Sequence, residues 1–209
     1  MSSTADKLVL TGKPAVVILA GGYSLRMGFP KLLLPFTESE TFVEQIVKIY
    51  RHITNNIVLV INNEVYEKWL SFFNTRLPGI CIILNLNPDF GRTYSIKLGL
   101  EKADADKVFI QNCDNPFVKK ELLTDMLQAA PDNGYVSPRV NKKGGHPVLL
   151  CGSASNTLIN ARDGSTLKDI LSKQKRTDLA TDDTDILINI DTAESYFMHF
   201  PQHRQKIFS

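Results

Sequence analysis

Three short stretches of the chain place charged groups where an apolar run ends. The first is GGYSLRMGFPK, Gly21 to Lys31, which follows the apolar run from Val16. Adjacent glycines at Gly21 and Gly22 permit positive φ and close backbone approach, and successive N–H groups there can form an anion nest. Arg26 can fork two phosphate oxygens, and Lys31 adds a mobile point charge. The second stretch is KVFIQNCDNPFV, Lys107 to Val118. An apolar run ends at Asn112–Cys113 and presents Asp114, with Pro116 stiffening the turn. A carboxylate beside a phosphate cradle suits Mg²⁺, a hard ion held by one or two carboxylates plus substrate phosphates. The third is ILINIDTAESY, Ile186 to Tyr196, where an apolar run ends in Asp191 and Thr192 can cap a helix.

Each stretch also has a plainer reading. The first can be a glycine turn with surface cations. Asp114 can be a turn or capping aspartate, and Asp191 an acid favoured at a helix N-terminus by the dipole. Two phosphate-binding patterns are excluded. Gly28 is followed by Phe29 rather than Lys, and Gly21 and Gly22 are adjacent. Neither the Walker pattern nor the dinucleotide fingerprint is therefore met.

These groups need elements to position them. Short apolar, β-branched runs predict strands over Ala15–Leu19, Asn56–Ile61, Ile80–Leu84, Lys107–Ile110, Gly134–Val136, Pro147–Leu150 and Ile186–Ile190. Amphipathic segments predict helices over Thr41–His52, Val65–Phe73, Tyr94–Lys102, Lys119–Ala130, Thr166–Ser172 and Ala193–Phe200. Alternation of the two implies an α/β fold: a three-layer, Rossmann-like arrangement with helices on both faces of a mostly parallel sheet. The strands around Tyr135 and Val148 are joined by SPRVNKKGGH, which has no room for a crossover helix, so the central sheet is mixed. In such a sheet ligands bind beyond the carboxyl ends of the strands, where all three stretches lie.

Composition narrows the function. The 209 residues suit one domain spanning 1–209, with residues 1–13 a frayed leader. A net charge of +2 and no long Lys/Arg run argue against a nucleic-acid partner. No apolar run approaches the ~20 residues of a membrane span, and no basic-then-apolar leader marks a signal peptide. The expected location is cytoplasmic. Cys81, Cys113 and Cys151 are far apart and odd in number, as expected of reduced thiols packed as small hydrophobes.

L-A-G-G-x-S-x-R-M-G-x-x-K, Leu19 to Lys31, resembles the signature of nucleotidyltransferases that share a nucleotide-diphospho-sugar transferase type of α/β fold. The molybdenum cofactor guanylyl- and cytidylyltransferases are the most similar. The resemblance implies that Leu19, Ala20, Gly21, Gly22 and Ser24 line a loop around an NTP triphosphate, with Arg26 and Lys31 on its phosphates. C-D-x-P resembles the family's metal-binding motif, giving Asp114 the Mg²⁺ role. Asp191 is then a second ligand, although Ala193 and Ser195 depart from the usual Pro and acid. Arg92 and Ser95, three apart in GRTYSIKLGL, fit residues that hold the nucleotide in related cytidylyltransferases. The Gly145–Val148 run G-H-P-V resembles the cytidylyl branch and puts His146 on the acceptor side, near Gly144, Lys142 and Lys143. Asp163 and Ser165 are expected helix caps in the acceptor-side region.

The implied reaction is Mg²⁺-dependent transfer of NMP from an NTP to a phosphorylated acceptor, releasing pyrophosphate. G-F-P-K, G-H-P-V and the final D-T favour CTP. L-A-G-G and C-D-x-P favour GTP. Molybdopterin is the expected acceptor, and a molybdoenzyme a possible client. A sugar- or polyol-phosphate nucleotidyltransferase, or a non-catalytic nucleotide-binding or cofactor-delivery module, are the alternatives.

Overall fold

The computed structural model describes residues 12–24, 26–162 and 164–204. Most of the expected leader, residues 1–11, lies outside them, as does Asp163. Four parallel strands form one half of the sheet in the order β3 (Cys81–Asn85), β2 (Asn56–Asn62), β1 (Ala15–Ala20) and β4 (Lys107–Asn112). Beyond β4, β7 (Val148–Cys151) runs antiparallel and pairs with β5 (Gly134–Val140). The two-residue β6 (Lys143–Gly144) and β8 (Arg176–Ala180) also pair with β5, β8 in parallel. The mixed, mostly parallel sheet matches the sequence expectation.

Val, Ile and Leu fill β1, and all six of its residues are buried. A strand covered on both faces has no polar side to show, so its apolar run is continuous. Side chains alternate between the faces. Ala15, Val17 and Leu19 pack with α4 (Gly91–Ala103), α6 (Ser153–Ile159) and α7 (Leu167–Leu171). Val16, Ile18 and Ala20 pack with α1 (Phe42–Tyr50), α3 (Leu70–Arg76) and α5 (Lys120–Gln128). A Cβ on Gly99 of α4 would stand 2.2 Å from Val17 Cγ1, so this glycine sets how closely the helix lies on the sheet. A third, aromatic cluster joins Phe42, Phe200 and Tyr196 of α8 (Ala193–His199), with the Tyr196 hydroxyl donating to the Pro35 carbonyl at 2.8 Å.

Several expectations are corrected. Ile186–Ile190 is not a strand: a 3₁₀ turn spans Thr184–Leu187, and β8, whose residues RTDLA are too polar to signal a strand, takes the place beside β5. The helix expected over Val65–Phe73 is two, α2 (Asn63–Lys68) and α3, divided at Trp69 with φ −119°. Helix α6 gave no sequence signal. Thr166, not Ser165, caps α7, through a capping box with Asp169. The unusual backbone of the β5–β6 turn lies at Asn141 and Lys142, at φ 47° and 69°. With Val140 paired to Lys143, these two residues form a two-residue hairpin turn in the left-handed conformation that matches strand twist. Among the described residues, no helix is long and apolar enough to cross a membrane.

Candidate active site

The strand order reverses between β1 and β4, and a crevice opens beyond their carboxyl ends. Leu19 pairs with Asn112, and the Cys113 N–H donates to the Leu19 carbonyl at 3.1 Å. The turn carrying Asp114 therefore starts beside Ala20 and Gly21. A cavity of about 600 Å³ fills the crevice. From the first loop it is lined by Leu19, Ala20, Gly21, Gly22, Ser24, Arg26 and Lys31. Arg92, Ser95, Asp114 and Asp191 complete the expected set, with Tyr23, Asn112 and Cys113 as additions. His146 is the one expected site residue outside this lining.

The first loop is shaped differently from its sequence reading. Neither Gly21 nor Gly22 has positive φ; Ser24 and Gly28 do, at 53° and 68°. Gly21 is required for another reason. A Cβ there would lie 2.8 Å from Ser95 Oγ and 3.3 Å from Asn85 Nδ2. Gly22 has open space, and its carbonyl accepts from Asn62 Nδ2 at 3.0 Å. The Ser24 carbonyl accepts from the Met27 and Gly28 N–H groups, closing the turn that delivers Lys31.

Lys31 is the centre of the charge arrangement. Its Nζ lies 2.5 Å from Asp191 Oδ1 and 3.2 Å from Asp114 Oδ2. Arg26 reaches Asp191 Oδ1 at 3.5 Å. Burial works against the Lys31 charge, but the hydrogen bond to Asp191 and the Asp114 charge outweigh it and hold its pKa above the ordinary value. The same Lys31 hydrogen bond holds Asp191 below the usual carboxylate range. Burial pushes the Cys113 thiol far up, so it is a packed thiol and not a nucleophile.

A divalent cation fits these residues. Asp114 Oδ1 is buried with no hydrogen-bond partner, and the two carboxylates already converge on one cationic atom. Among the described residues no cluster of three or more His, Cys, Asp or Glu forms a complete cage. A pair of carboxylates that relies on substrate oxygens for its remaining ligands suits Mg²⁺ better than a metal held by protein alone.

Ser95 edges the cavity, and His146 stands behind the lining. Ser95 Oγ accepts from Asn85 Nδ2 at 2.9 Å, so it braces Gly21 as well as edging the cavity. His146 Nε2 lies 3.0 Å from Asn112 Nδ2. Burial, with the nearby Arg92 charge, lowers the His146 pKa to about 4. It is a neutral imidazole at physiological pH.

The sequence reading missed the residues that hold the site together. Asn85, Asn62 and Asn112 are the last residues of β3, β2 and β4. A polar amide closing each apolar run was the available signal. Asn115, 1% exposed, donates through Nδ2 to the carbonyls of Asp185 at 3.1 Å and Ile188 at 2.6 Å. Gln111 supports it, donating to the Asn115 carbonyl at 2.9 Å and accepting from the buried Tyr50 hydroxyl at 3.1 Å. This network ties the Asp191 segment to the Asp114 turn.

Comparison with known proteins agrees with this fold. The profile of the MobA-like NTP transferase domain matches residues 16–178. A probable molybdenum cofactor guanylyltransferase of Bacillus mycoides is 28% identical over 197 residues, covering 88% of this chain and 94% of its own. The Mycobacterium tuberculosis protein Rv0371c, crystallised with manganese, superposes with a TM-score of 0.72 at 18% identity, over 90% of this chain and 98% of its own. The molybdopterin-guanine dinucleotide biosynthesis protein A of Archaeoglobus fulgidus gives 0.64 at 19% identity, over 88% and 96%.

Proposed function

Because this chain belongs to the MobA-like NTP transferase domain family and is a nucleotidyltransferase, we propose that it transfers GMP from GTP to the phosphate of molybdopterin. The observation that carries this reading is the convergence of Lys31, Asp114 and Asp191 at the mouth of the β1 loop. It supports a site for a triphosphate, and the guanylyltransferase name of the Bacillus mycoides relative supports GTP. The CTP preference expected from the sequence draws no support from that relative. It stays as a second reading on one observation, the Gly145–Val148 run.

The chemistry follows from the groups in place. An oxygen of the acceptor phosphate attacks the α-phosphorus, a new P–O bond forms, and the bond to the β-phosphate bridging oxygen breaks. Pyrophosphate leaves with the electron pair. Arg26 and Lys31 face the charge that builds on it. The loop backbone orients the triphosphate so that attack is in line. Asp114 and Asp191 would hold Mg²⁺, which supplies charge neutralisation across the phosphate oxygens. The acceptor phosphate is already an anion, so no general base is required, and His146, with its pKa near 4, is suited to a neutral role.

The test is pyrophosphate release from the purified protein with GTP, CTP, ATP and UTP, each with and without molybdopterin. Release with GTP and molybdopterin together is expected. Release with CTP alone among the four would replace the guanylyl reading with the cytidylyl one. No turnover with any pair would remove molybdopterin as the acceptor.

A further inference from the structure

Among the described residues, one cation in the cavity has no hydrogen-bonded or ion-paired counterpart. Arg26 and Lys31 both reach Asp191, and Lys31 also reaches Asp114. Arg92, in the first turn of α4, lines the same cavity but makes no hydrogen bond or ion pair with any described residue. Its electrostatic neighbours are Asp114 and His146, which places its charge toward the β4–β7 side of the crevice. An arginine facing a cavity without a carboxylate partner is an anion-binding group.

The same corner holds a fixed amide. Asn112 lines the cavity, and its Nδ2 lies against His146 Nε2. With Nδ2 of the amide as the donor, Nε2 accepts, and His146 Nδ1 is buried with no hydrogen-bond partner. Neutral His146 thereby fixes which way the Asn112 amide points. Protonated, it would have no lone pair to offer.

Two anions meet in the proposed reaction, and the β1 loop serves one of them. The triphosphate has Arg26 and Lys31. The second anion, the acceptor's phosphate, must approach from the side opposite the departing pyrophosphate. Arg92 acts on Asp114 and on His146, the partner of Asn112, whereas Asp191 is paired with Arg26 and Lys31. We propose that Arg92 and Asn112 form the subsite for the acceptor's phosphomonoester, with His146 as the positioning residue behind Asn112. This reassigns Arg92 from the nucleotide, where the sequence resemblance put it, and it rests on the reading of the chain as a transferase acting on a phosphorylated acceptor.

The experiment uses inorganic phosphate as the probe. Calorimetry follows phosphate binding to the full chain already saturated with Mg²⁺ and a non-hydrolysable GTP analogue. Wild type is expected to bind phosphate beside the analogue. Arg92→Gln should bind it about tenfold to a hundredfold more weakly, the loss of one charge-assisted pair, with analogue affinity kept within about twofold. Arg92→Lys should fall between them. His146→Gln, whose carbonyl can still accept from Asn112, should keep phosphate binding, whereas His146→Leu should weaken it. Loss of analogue affinity in Arg92→Gln would return Arg92 to the donor nucleotide and overturn the proposal. So would phosphate binding that the analogue abolishes in wild type. If the GTP analogue itself fails to bind, the guanylyl reading fails separately, and the same titration with a CTP analogue still reads Arg92.

Discussion

The backbone N–H of Ile190 donates to the carbonyl of Asp114 at 2.8 Å. This bond joins the residue before one carboxylate to the carboxylate residue of another loop. It explains how two acids far apart in sequence come to share the Lys31 ammonium. Since no strand ladder runs through Ile186–Ile190, the segment is held by this bond, by Asn115 and by the His146 backbone N–H, which donates to the Ile186 carbonyl at 3.0 Å.

Asn115→Ala removes both side-chain bonds, to the Asp185 carbonyl, which still accepts from the Ile188 N–H at 3.1 Å, and to the Ile188 carbonyl. At ~1–1.5 kcal/mol per hydrogen bond, unfolding stability should fall by about 2–3 kcal/mol. Pyrophosphate release should fall as well, because Asp191 loses its placement. Denaturant unfolding and turnover of the same sample measure the two effects. Unchanged turnover would show that Asp191 is held without Asn115.

Asp114→Asn keeps the shape and removes the charge. Turnover should drop by roughly 10²–10³, the scale of losing one charge-stabilising group. Binding of NTP without metal should persist through Arg26 and Lys31. A pyrophosphate-release rate equal to wild type would refute the metal role of Asp114.

Gly21→Ala brings a methyl group to 2.8 Å from Ser95 Oγ. Overpacking of this kind costs ~1–3 kcal/mol. Ser95→Ala in the same chain should recover part of the loss, giving non-additive energies in a double-mutant cycle. Gly22→Ala meets open space and should change stability little. Equal costs at both positions would contradict the packing account.

Stability should fall on acidification through His146. Its folded pKa, about 4, lies below the ordinary 6.5, so the folded state binds fewer protons than the unfolded state between these values. The contribution is complete above pH 6.5 and is lost as pH falls toward 4. At ~1.4 kcal/mol per pKa unit the loss is at most about 3.5 kcal/mol. Urea unfolding of wild type and His146→Gln at pH 7 and pH 5 tests this: the wild type should lose more.

The central strands and the first loop were legible in the sequence because burial on both faces and the run from Leu19 to Lys31 are local signals. Val16–Ala20 cannot be covered on two faces and be anything but apolar. The same logic failed at Arg176–Ala180, a strand of half-exposed polar residues, and at Ile186–Ile190, whose apolar residues fill the core without pairing. Local pattern reports burial, and burial does not say which neighbour provides it.

For the site, the chain by itself determined that two cations and two acids follow apolar runs, hence that a phosphate–metal chemistry was available. Only the tertiary structure decided that Lys31 reaches both acids, that Gly21 is glycine because of Ser95, and that Arg92, which forms no ion pair with a described residue, lines the same cavity. The physical reason is range. A side chain's type and its strand-end position are written within a few residues. Its partner is set by strand order, here the reversal between β1 and β4, and no local stretch encodes that order.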